Sequence, residues 1–399
     1  MLVTAYLSRV NISTYMVNLE IDHPEMNNSS DKVIVGMSGG VDSSIAAHLL
    51  VQEGHDVEGL FMKNWEEDDG SEYCTAQQDL EDAEKVCNHL GIKLNIANFS
   101  AEYWENVFEL FLRDYQMGRT PNPDILCNRE IKFQQFLKYA ETLGANKIAT
   151  GHYVSRVEDA AGIHFCKALD TSKDQTYFLQ AVPRDRLERC IFPLGGLLKT
   201  TVRSLAKQLK LGNDNKKDST GICFIGERRF SDFISRYIPN EKGLIKDTEG
   251  RTLGEHLGLH FYTLGQRQGL KIGGVSNRPE LPWYVAEKKL ETNELVATQN
   301  EDCLKSKWLI ASDVNWLEEI NFPVSLSAKI RYRQKDQKCT IRPCCNKKIS
   351  VEFEGAQTAI TPGQYVAFYD QKTLMGGGYI EGSGPSLSNS ALSNKLLER

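Results

Sequence analysis

The chain has 399 residues, of which 41% are apolar and 25% are charged, and its formal net charge is −6. This length predicts two or three domains, and the composition is typical of a folded chain and not of a disordered one. No run approaches the roughly 18 apolar residues that a membrane span requires, so we expect no membrane partner, and the negative charge argues against a chain that coats nucleic acid.

The charge is unevenly distributed along the chain. Residues 53–109 contain 15 acidic and 3 basic side chains, whereas residues 329–348 contain 8 basic and 1 acidic. A small basic face on an acidic body is able to dock a polyanion. The alternative, an ordinary solvated strand surface, stays open on this observation alone.

The ten cysteines follow no metal-binding spacing, and no C-x-x-C pair occurs among them. They lie at positions 74, 87, 127, 166, 190, 223, 303, 339, 344 and 345. The usual zinc and iron–sulfur patterns are therefore excluded, and we expect no metal held by protein ligands. Residues 1–31 lack a secretory or transit signal, so we interpret them either as a loose, untargeted extension or as residues upstream of a true start at Met16 or Met26. The unpatterned cysteines predict a cytoplasmic protein with reduced thiols.

Residues 32–153 alternate between short apolar runs and stretches with helical periodicity. The runs KVIVGM, DVEGLFM, LNIANF and KIATGHY predict strands, and residues 43–52, 75–90 and a stretch beginning near Pro123 predict helices. This order is typical of an α/β fold with a doubly wound parallel sheet, in which ligands gather at the carboxyl ends of the strands. We place this domain at residues 32–200.

The strongest local motif is VIVGMSGGVDSS, residues 33–44, in which a strand runs into a glycine-rich loop and then into a helix. The loop comprises Gly36, Met37, Ser38, Gly39, Gly40, Val41, Asp42 and Ser43. Its backbone N–H groups and the helix N-terminus favour an oxyanion, although no Walker A pattern is present. The loop resembles that of the ATP pyrophosphatase (PP-loop) superfamily, which implies ATP and Mg²⁺. The alternative is a glycine turn that merely lets strand and helix approach.

The stretch TPNPDILCN, residues 120–128, predicts a helix start with Asn122 as N-cap and Pro123 as first helical residue. Cys127 then lies little more than one turn into the helix, where the dipole favours a thiolate. Asp124 shares its face and would oppose that thiolate, so it is better suited to moving a substrate proton. Whether Cys127 is a buried filler or a reactive thiol stays open from these residues.

A second cysteine, Cys223, lies in DSTGICFIGERRF among apolar neighbours. Composition alone favours a buried structural residue, and nothing local connects it with Cys127.

Beyond Pro282 the chain consists of short alternating segments separated by turn residues: WYVAEK, ELVATQ, VSLSAKIRYRQ, KCTIRP, ISVEFEG, QYVAFYD and MGGGYIEG. They predict a small antiparallel β-barrel or sandwich over residues 280–384, which leaves residues 201–279 as a small central domain and residues 385–399 as a flexible tail. In KIRYR, alternation places Lys329, Arg331 and Arg333 on one face, where a basic stripe suits phosphates.

Ten motifs in order resemble those of the bacterial tRNA-specific 2-thiouridylases: GMSGGVDSS, GLFMKNWEEDD, EYCTA, GRTPNPDILCN, IKF, ATGHY, KDQTYFL, KDSTGICFIGER, YTLGQRQGL and RYRQ. The resemblance runs from about residue 32 to residue 381. It implies an adenine nucleotide alpha hydrolase-like domain, a central tRNA-binding domain that carries a persulfide cysteine, and a C-terminal barrel.

The resemblance also implies residue roles. Met62 and Gly151 would line the ATP site beside the loop residues 36–43. Asn122, Pro123 and Asp124 would contact the target base, with Asp124 as general acid or base. Cys127 would be the nucleophile and Cys223 the persulfide carrier, and the two would form a transient disulfide. The residues implied to touch tRNA are Lys173, Asp174, Gln175, Arg331 and Tyr332. If Arg331 and Tyr332 both reach RNA, the strand should end or bulge there, because neighbours on a strand point opposite ways.

The implied reaction is ATP-dependent adenylation of C2 of the wobble uridine 34 of tRNA, followed by sulfur transfer, with release of AMP and pyrophosphate. The implied partners are the tRNAs for Lys, Glu and Gln and a sulfur-relay protein fed by a cysteine desulfurase. Two alternatives remain at this point: an amide-forming ATP pyrophosphatase ligase, and a nucleotide-binding redox sensor in which Cys127 and Cys223 form a regulatory disulfide.

Overall fold

The computed structural model describes residues 31–66, 76–216, 230–273 and 281–384. The predictions for the N-terminal extension before Asp31 and for the tail at 385–399 lie outside the described residues. Asp31 and everything after it belong to one compact unit.

The first domain is built on a parallel sheet of five strands in the order β3-β2-β1-β4-β7. The strands are β1 (Lys32–Gly36), β2 (Asp56–Lys63), β3 (Leu94–Asn98), β4 (Lys147–Ala149) and β7 (Cys190–Ile191). The chain builds outward from β1 through β2 to β3 and then returns to place β4 on the other side of β1. This reversal creates the crevice in which doubly wound folds bind ligands, and the predicted fold class is confirmed.

Helices cover both faces of this sheet. They are α1 (Val41–Gln52), α2 (Ala76–Leu90), α3 (Ser100–Tyr103, Trp104–Phe108 and Glu109–Gln116), α4 (Pro123–Leu126, Cys127–Gln135 and Phe136–Thr142), α5 (Arg184–Glu188) and α6 (Lys199–Gln208). The middle segments of α3 and α4 are π-helical. Strand alternation sends Ile34 into the core under α3 and α4, whereas Val33 and Val35 pack under α1, α2 and α6. All three are fully buried, as expected for a central parallel strand.

A hairpin leaves the first domain between β4 and β7. It consists of β5 (Val154–Asp159) and β6 (Gly162–Lys167), and β6 pairs with the last strand of the C-terminal barrel at Cys166 and Thr373. The sheet of the barrel therefore continues into this hairpin and contains eight strands in all.

The central domain contains α7 (Phe230–Ile234) and a four-stranded sheet in the order β10-β11-β8-β9. The strands are β8 (Gly243–Asp247), β9 (Thr252–His256), β10 (Tyr284–Lys289) and β11 (Glu294–Thr298). Their buried side chains form a separate small core that includes Ile245, Val285 and Leu295.

The predicted boundaries of the central domain, at residues 200–201 and 279–280, each fall within a structural element or sheet. The boundary at 279 and 280 divides its sheet, because β11 pairs in parallel with β8 and not with the barrel. The boundary at 200 cuts α6, whose Val202 and Ala206 pack into the core of the first domain. Alternation along the chain predicts a strand but not its partner, and helical periodicity likewise does not show which core a helix packs against.

The C-terminal domain is a closed antiparallel barrel, as predicted. Its six strands are β12 (Lys305–Trp316), β13 (Val324–Lys329), β14 (Gln337–Pro343), β15 (Ile349–Thr358), β16 (Tyr365–Asp370) and β17 (Thr373–Gly384). Closure comes from β12, which pairs with both β15 and β17. Closure removes the free edges that an open sheet would expose.

Candidate active site

The glycine-rich loop links the carboxyl end of β1 to the first residue of α1. Gly39 has φ +70°, and a Cβ built on it would lie 2.3 Å from the carbonyl oxygen of Asp79, so only glycine fits. Ser43 Oγ accepts a hydrogen bond from the Ser38 N–H at 3.2 Å and lies 3.0 Å from the Gly40 carbonyl oxygen, to which it donates. The loop is therefore a fixed backbone shape at a helix N-terminus, which is the geometry of an oxyanion cradle.

Met62 and Gly151, both predicted from the resemblance, lie beside this loop. A Cβ built on Gly36 would lie 3.4 Å from Met62 Cε and 3.1 Å from Phe136 Cε1. A Cβ on Gly151 would lie 2.8 Å from the backbone nitrogen of Ser43. The ends of β1, β2 and β4 thus meet around the loop, as the topology requires.

The carboxylate of Asp42 is held by side chains that the sequence did not single out. Lys199 Nζ, at the start of α6, lies 2.7 Å from both Asp42 oxygens, and the Tyr153 hydroxyl donates to Oδ1 at 2.9 Å. Lys199 is only 7% exposed. Because Lys199 lies 157 residues from Asp42 along the chain, no local pattern could have indicated this pair.

A second set of contacts ties the loop to α2. Lys216 Nζ bridges Asp79 and Asp82, at 2.7 Å from each, and Asn213 Nδ2 donates to the Gly39 carbonyl oxygen at 3.2 Å. Lys216 lies 137 residues from Asp79 along the chain, so no local pattern indicated this contact either.

The start of α4 is as the sequence predicts. Asn122 occupies the N-cap position with extended backbone angles, and Pro123 is the first helical residue, although the Asn122 side chain makes no capping hydrogen bond. Cys127 opens the π-helical segment and is 3% exposed. The neighbouring Asn128 donates from Nδ2 to the carbonyl oxygen of Asp124 at 2.8 Å. The thiol is therefore buried in a helix turn whose backbone is fixed.

Asp124 lies one turn before Cys127 and is half-buried. Burial raises the pKa of its carboxyl, and the positive charge of Lys132 acts in the opposite direction. Burial also holds the pKa of His152 well below its usual value, and Lys132 lowers it further. The His152 Nδ1 lies 2.8 Å from the Thr150 hydroxyl, and its ring packs 5.5 Å from that of Phe133. These contacts place α4 against the end of β4, on the same edge of the sheet as the glycine-rich loop.

Cys223 lies outside the described residues, and so does its predicted disulfide with Cys127. Among the described residues no group of three or more His, Cys, Asp or Glu side chains converges as a metal site would require.

Two of the three residues predicted in the KDQ stretch turn inward. Asp174 is 5% exposed, and its carboxylate accepts hydrogen bonds from the Thr176 hydroxyl at 3.0 Å and the Ala168 N–H at 3.2 Å. Gln175 accepts from the Tyr153 N–H at 2.9 Å through its side chain. Gln175 is therefore connected to the glycine-rich loop through Tyr153, whose hydroxyl donates to Asp42.

Arg331 and Tyr332 lie in a turn and not in a strand. β13 ends at Lys329, as expected if both residues face the same surface, and Gln334 closes the turn by donating from its N–H to the Arg331 carbonyl oxygen at 3.1 Å. The Tyr332 ring packs 4.5 Å from that of Phe178, which brings this turn beside the KDQ stretch. The predicted stripe of alternating basic residues was wrong, because the strand ends before Arg331.

The chain is similar to known proteins along most of its length. Three family models match in succession: a tRNA methyl transferase HUP domain over residues 31–227, a tRNA methyl transferase PRC-barrel domain over 231–299, and an aminomethyltransferase beta-barrel domain over 306–380. A tRNA-specific 2-thiouridylase MnmA of Pseudomonas fluorescens strain Pf0-1 is 55% identical over 91% of this chain and 98% of its own length. The chain belongs to the tRNA-specific 2-thiouridylase (MnmA) family.

The MnmA of Pseudomonas fluorescens strain Pf-5 is similar as well, with 56% identity over 90% of this chain and 96% of its own. Two of the model descriptions name a methyl transferase and the third an aminomethyltransferase, whereas these relatives, aligned over about 90% of the chain, are named thiouridylases. The full-length match is the more specific. A solved complex of a 4-thiouridine synthetase with RNA and ATP covers 52% of this chain and 50% of its own, with 16% identity and a TM-score of 0.32. Within the described residues, no helix is long and apolar enough to cross a membrane.

Proposed function

We propose that this chain is a tRNA-specific 2-thiouridylase that adenylates C2 of the wobble uridine and replaces its oxygen with sulfur. The observation that carries the proposal is the meeting of two sites at one edge of the parallel sheet. The glycine-rich loop, residues 36–43, follows β1, and we call it the phosphate loop from here on. Helix α4, which carries Asp124 and Cys127, packs against the ends of β1 and β4. Activation and sulfur transfer on one base require this proximity.

We assign the ATP phosphates to the loop residues 36–43, with Met62 and Gly151 beside the nucleotide. The residues fit a phosphate, since Gly39 leaves no room for a side chain and the loop's backbone is fixed. Mg²⁺ offsets the phosphate charge when it is bound. The loop's one carboxylate, Asp42, is already engaged by Lys199 and Tyr153, so the ion is expected on the phosphates and not on a loop side chain.

Asp124 is proposed as the general acid or base, and Asn122 and Pro123 as further contacts to the base. A half-buried carboxyl with a raised pKa keeps its proton more readily than a solvated aspartate and can exchange it with the uracil during activation. The wobble base must leave its stack to reach this buried position.

Sulfur is proposed to arrive as a persulfide on Cys223. In one order of events the terminal sulfur attacks C2 and displaces AMP, after which the Cys127 thiolate attacks Cys223 Sγ and releases the thiolated base. In the other, Cys127 attacks Cys223 Sγ first and frees hydrosulfide, which then displaces AMP from C2. Both orders end in a Cys127–Cys223 disulfide that a thiol reductant must reopen.

The proposed partners are RNA and a sulfur donor. Lys173, Asp174, Gln175, Arg331 and Tyr332 are proposed to form or support the tRNA surface, with the tRNAs for Lys, Glu and Gln as substrates. The donor is a relay protein fed by a cysteine desulfurase, and we place the reaction in the cytoplasm, where thiols stay reduced.

Mass analysis of tRNA incubated with the protein, ATP, Mg²⁺, a sulfur-relay protein in its persulfide form and a thiol reductant tests the proposal. We expect one oxygen-to-sulfur exchange, confined to tRNAs with a wobble uridine and absent with Cys223→Ser. Pyrophosphate release without tRNA would instead indicate an amide-forming ligase, and no pyrophosphate release at all would indicate a redox sensor.

A further inference from the structure

The segment that leads into α4 is held by a turn of the C-terminal barrel. Gln364 Nε2, at the end of the turn between β15 and β16, donates to the Thr120 carbonyl oxygen at 2.7 Å and lies 3.3 Å from that of Pro121. The Thr120 N–H donates to the Pro362 carbonyl oxygen at 3.0 Å. A backbone stretch of the first domain thus finds its hydrogen-bond partners about 240 residues away.

The turn is shaped for this close approach. Gly363 has φ +95°, and a Cβ built on it would lie 2.8 Å from the Thr120 nitrogen and 2.9 Å from the Thr120 oxygen, so any other residue would separate the two segments. The Gly363 N–H donates to the Ile380 carbonyl oxygen at 3.0 Å, and the Ile380 N–H donates to the Gln364 carbonyl oxygen at 2.8 Å. The backbone that carries the Gln364 amide is therefore fixed on β17.

Thr120 also contacts the central domain, because its hydroxyl lies 3.2 Å from that of Thr263. All three domains therefore meet at the residue that precedes Pro121. From there to Asp124 the chain contains two prolines, Pro121 and Pro123, whose fixed φ angles leave little freedom to absorb a displacement. A shift of Thr120 is transmitted to the first turn of α4.

We propose that Gln364 is a positioning residue of the thiolation reaction, which acts by fixing the place of the first turn of α4 and with it of Asn122 and Asp124. The inference rests on the proposed function. Its donor spans two successive carbonyl oxygens, a task that an apolar side chain of the same length cannot perform.

Docking of the barrel itself does not depend on this contact. The Tyr379 hydroxyl donates to Asp114 at 2.7 Å, and Arg119 pairs with Glu381 at 3.0 Å, so β17 is attached to the end of α3 by separate bonds. Loss of the Gln364 amide should therefore displace the α4 entry without detaching the domain.

The test is steady-state thiolation by Gln364→Met and Gln364→Glu, with pyrophosphate release, tRNA binding and thermal unfolding measured in parallel. Methionine removes the N–H donor but keeps a side chain of similar length. Glutamate replaces the donor with a carboxylate, which the carbonyl oxygens of Thr120 and Pro121 repel. We expect kcat to fall about 10- to 100-fold for Gln364→Met and further for Gln364→Glu, with the KM for ATP and the Kd for tRNA within twofold of wild type. Gln299→Met is the matched control, because that amide also donates to a backbone carbonyl oxygen, of Leu281, at 2.8 Å.

An unchanged kcat in Gln364→Met would overturn the inference, and so would a loss that is fully matched by weaker tRNA binding or by a smaller folded fraction. The proposed function fails separately, if the wild-type protein transfers no sulfur to tRNA at all.

Discussion

The phosphate loop and the entry to α4 lie at the same edge of one sheet but obtain their shapes in different ways. The loop has a framework of its own residues, since the left-handed Gly39 and the Ser38–Ser43 contacts lie within one short motif, to which distant partners such as Lys199 are added. The α4 entry is shaped by Gln364 and Thr263, which belong to two other domains. A motif whose contacts are local can be interpreted from sequence. For a segment that is held by distant residues, the sequence predicts the local conformation but not the contacts that position it.

The largest effect is expected at the α4 side, from Asp124→Asn. Thiolation should fall by about 10²- to 10⁴-fold, because the residue can no longer exchange a proton with the base. Stability should move the other way. A carboxyl whose folded pKa is raised destabilises the fold above that pKa and has no such cost below its unfolded value, so the variant should be more stable at pH 7.

Urea unfolding at pH 7 and just below the ordinary aspartate pKa of 3.8 measures that difference, which should vanish at the lower pH. Asp302→Asn is the control of opposite sign: its hydrogen bond from Lys305 lowers the pKa of the carboxyl, so its small stabilisation is present at neutral pH and lost on acidification. An Asp124→Asn protein that thiolates at the wild-type rate would remove the proton-transfer role.

Gly39→Ala tests the local side of the comparison. The added Cβ would clash with the backbone of Asp79, and the alanine would have to adopt a left-handed φ. We therefore expect pyrophosphate release to fall about 100-fold at saturating tRNA. Gly91→Ala has nearly the same φ, +69°, with nothing within 4 Å of its Cβ. That control should cost about 1–2 kcal/mol of stability and keep its ATP use. Equal pyrophosphate release by the two variants would show that the loop tolerates reshaping.

The same contrast explains which features were predictable from the sequence. The loop, the helix start at Asn122 and Pro123, and the barrel strands each have a local signal: glycines, an N-cap pattern or period-two alternation. The pairing of β11 with β8, the end of β13 before Arg331 and the Lys199–Asp42 ion pair have none. They depend on which distant segments meet, and strand register and ion pairing are settled only by packing of the whole chain.

Lys199→Met tests how strongly the phosphate loop depends on a distant partner for its stability. Among the described residues, the change leaves the partly buried Asp42 carboxylate with the Tyr153 hydroxyl as its side-chain partner, and we expect a loss of about 2 kcal/mol in the free energy of unfolding. Lys305→Met breaks an ion pair of similar length, 2.8 Å to Asp302, on the surface and should lower the free energy of unfolding much less. Equal losses in urea unfolding would mean that burial does not distinguish the two pairs.

The smallest effect is expected from Arg331→Gln, which tests whether the barrel that holds the α4 entry also presents RNA to it. Arg331 is exposed, and one guanidinium nitrogen donates to the Ala359 carbonyl oxygen at 2.8 Å, which restrains the side chain at the barrel surface. If it contacts one phosphate, the slope of log K for tRNA against log salt should decrease by about 0.7 to 0.9, while kcat at saturating tRNA stays unchanged. Arg342→Gln, on β14 of the same barrel and paired with Glu352 at 2.9 Å, should leave the slope as in the wild type. Identical slopes for the two variants would place the RNA elsewhere, and the barrel would then act on the reaction through the Gln364 contact and not through the turn that carries Arg331.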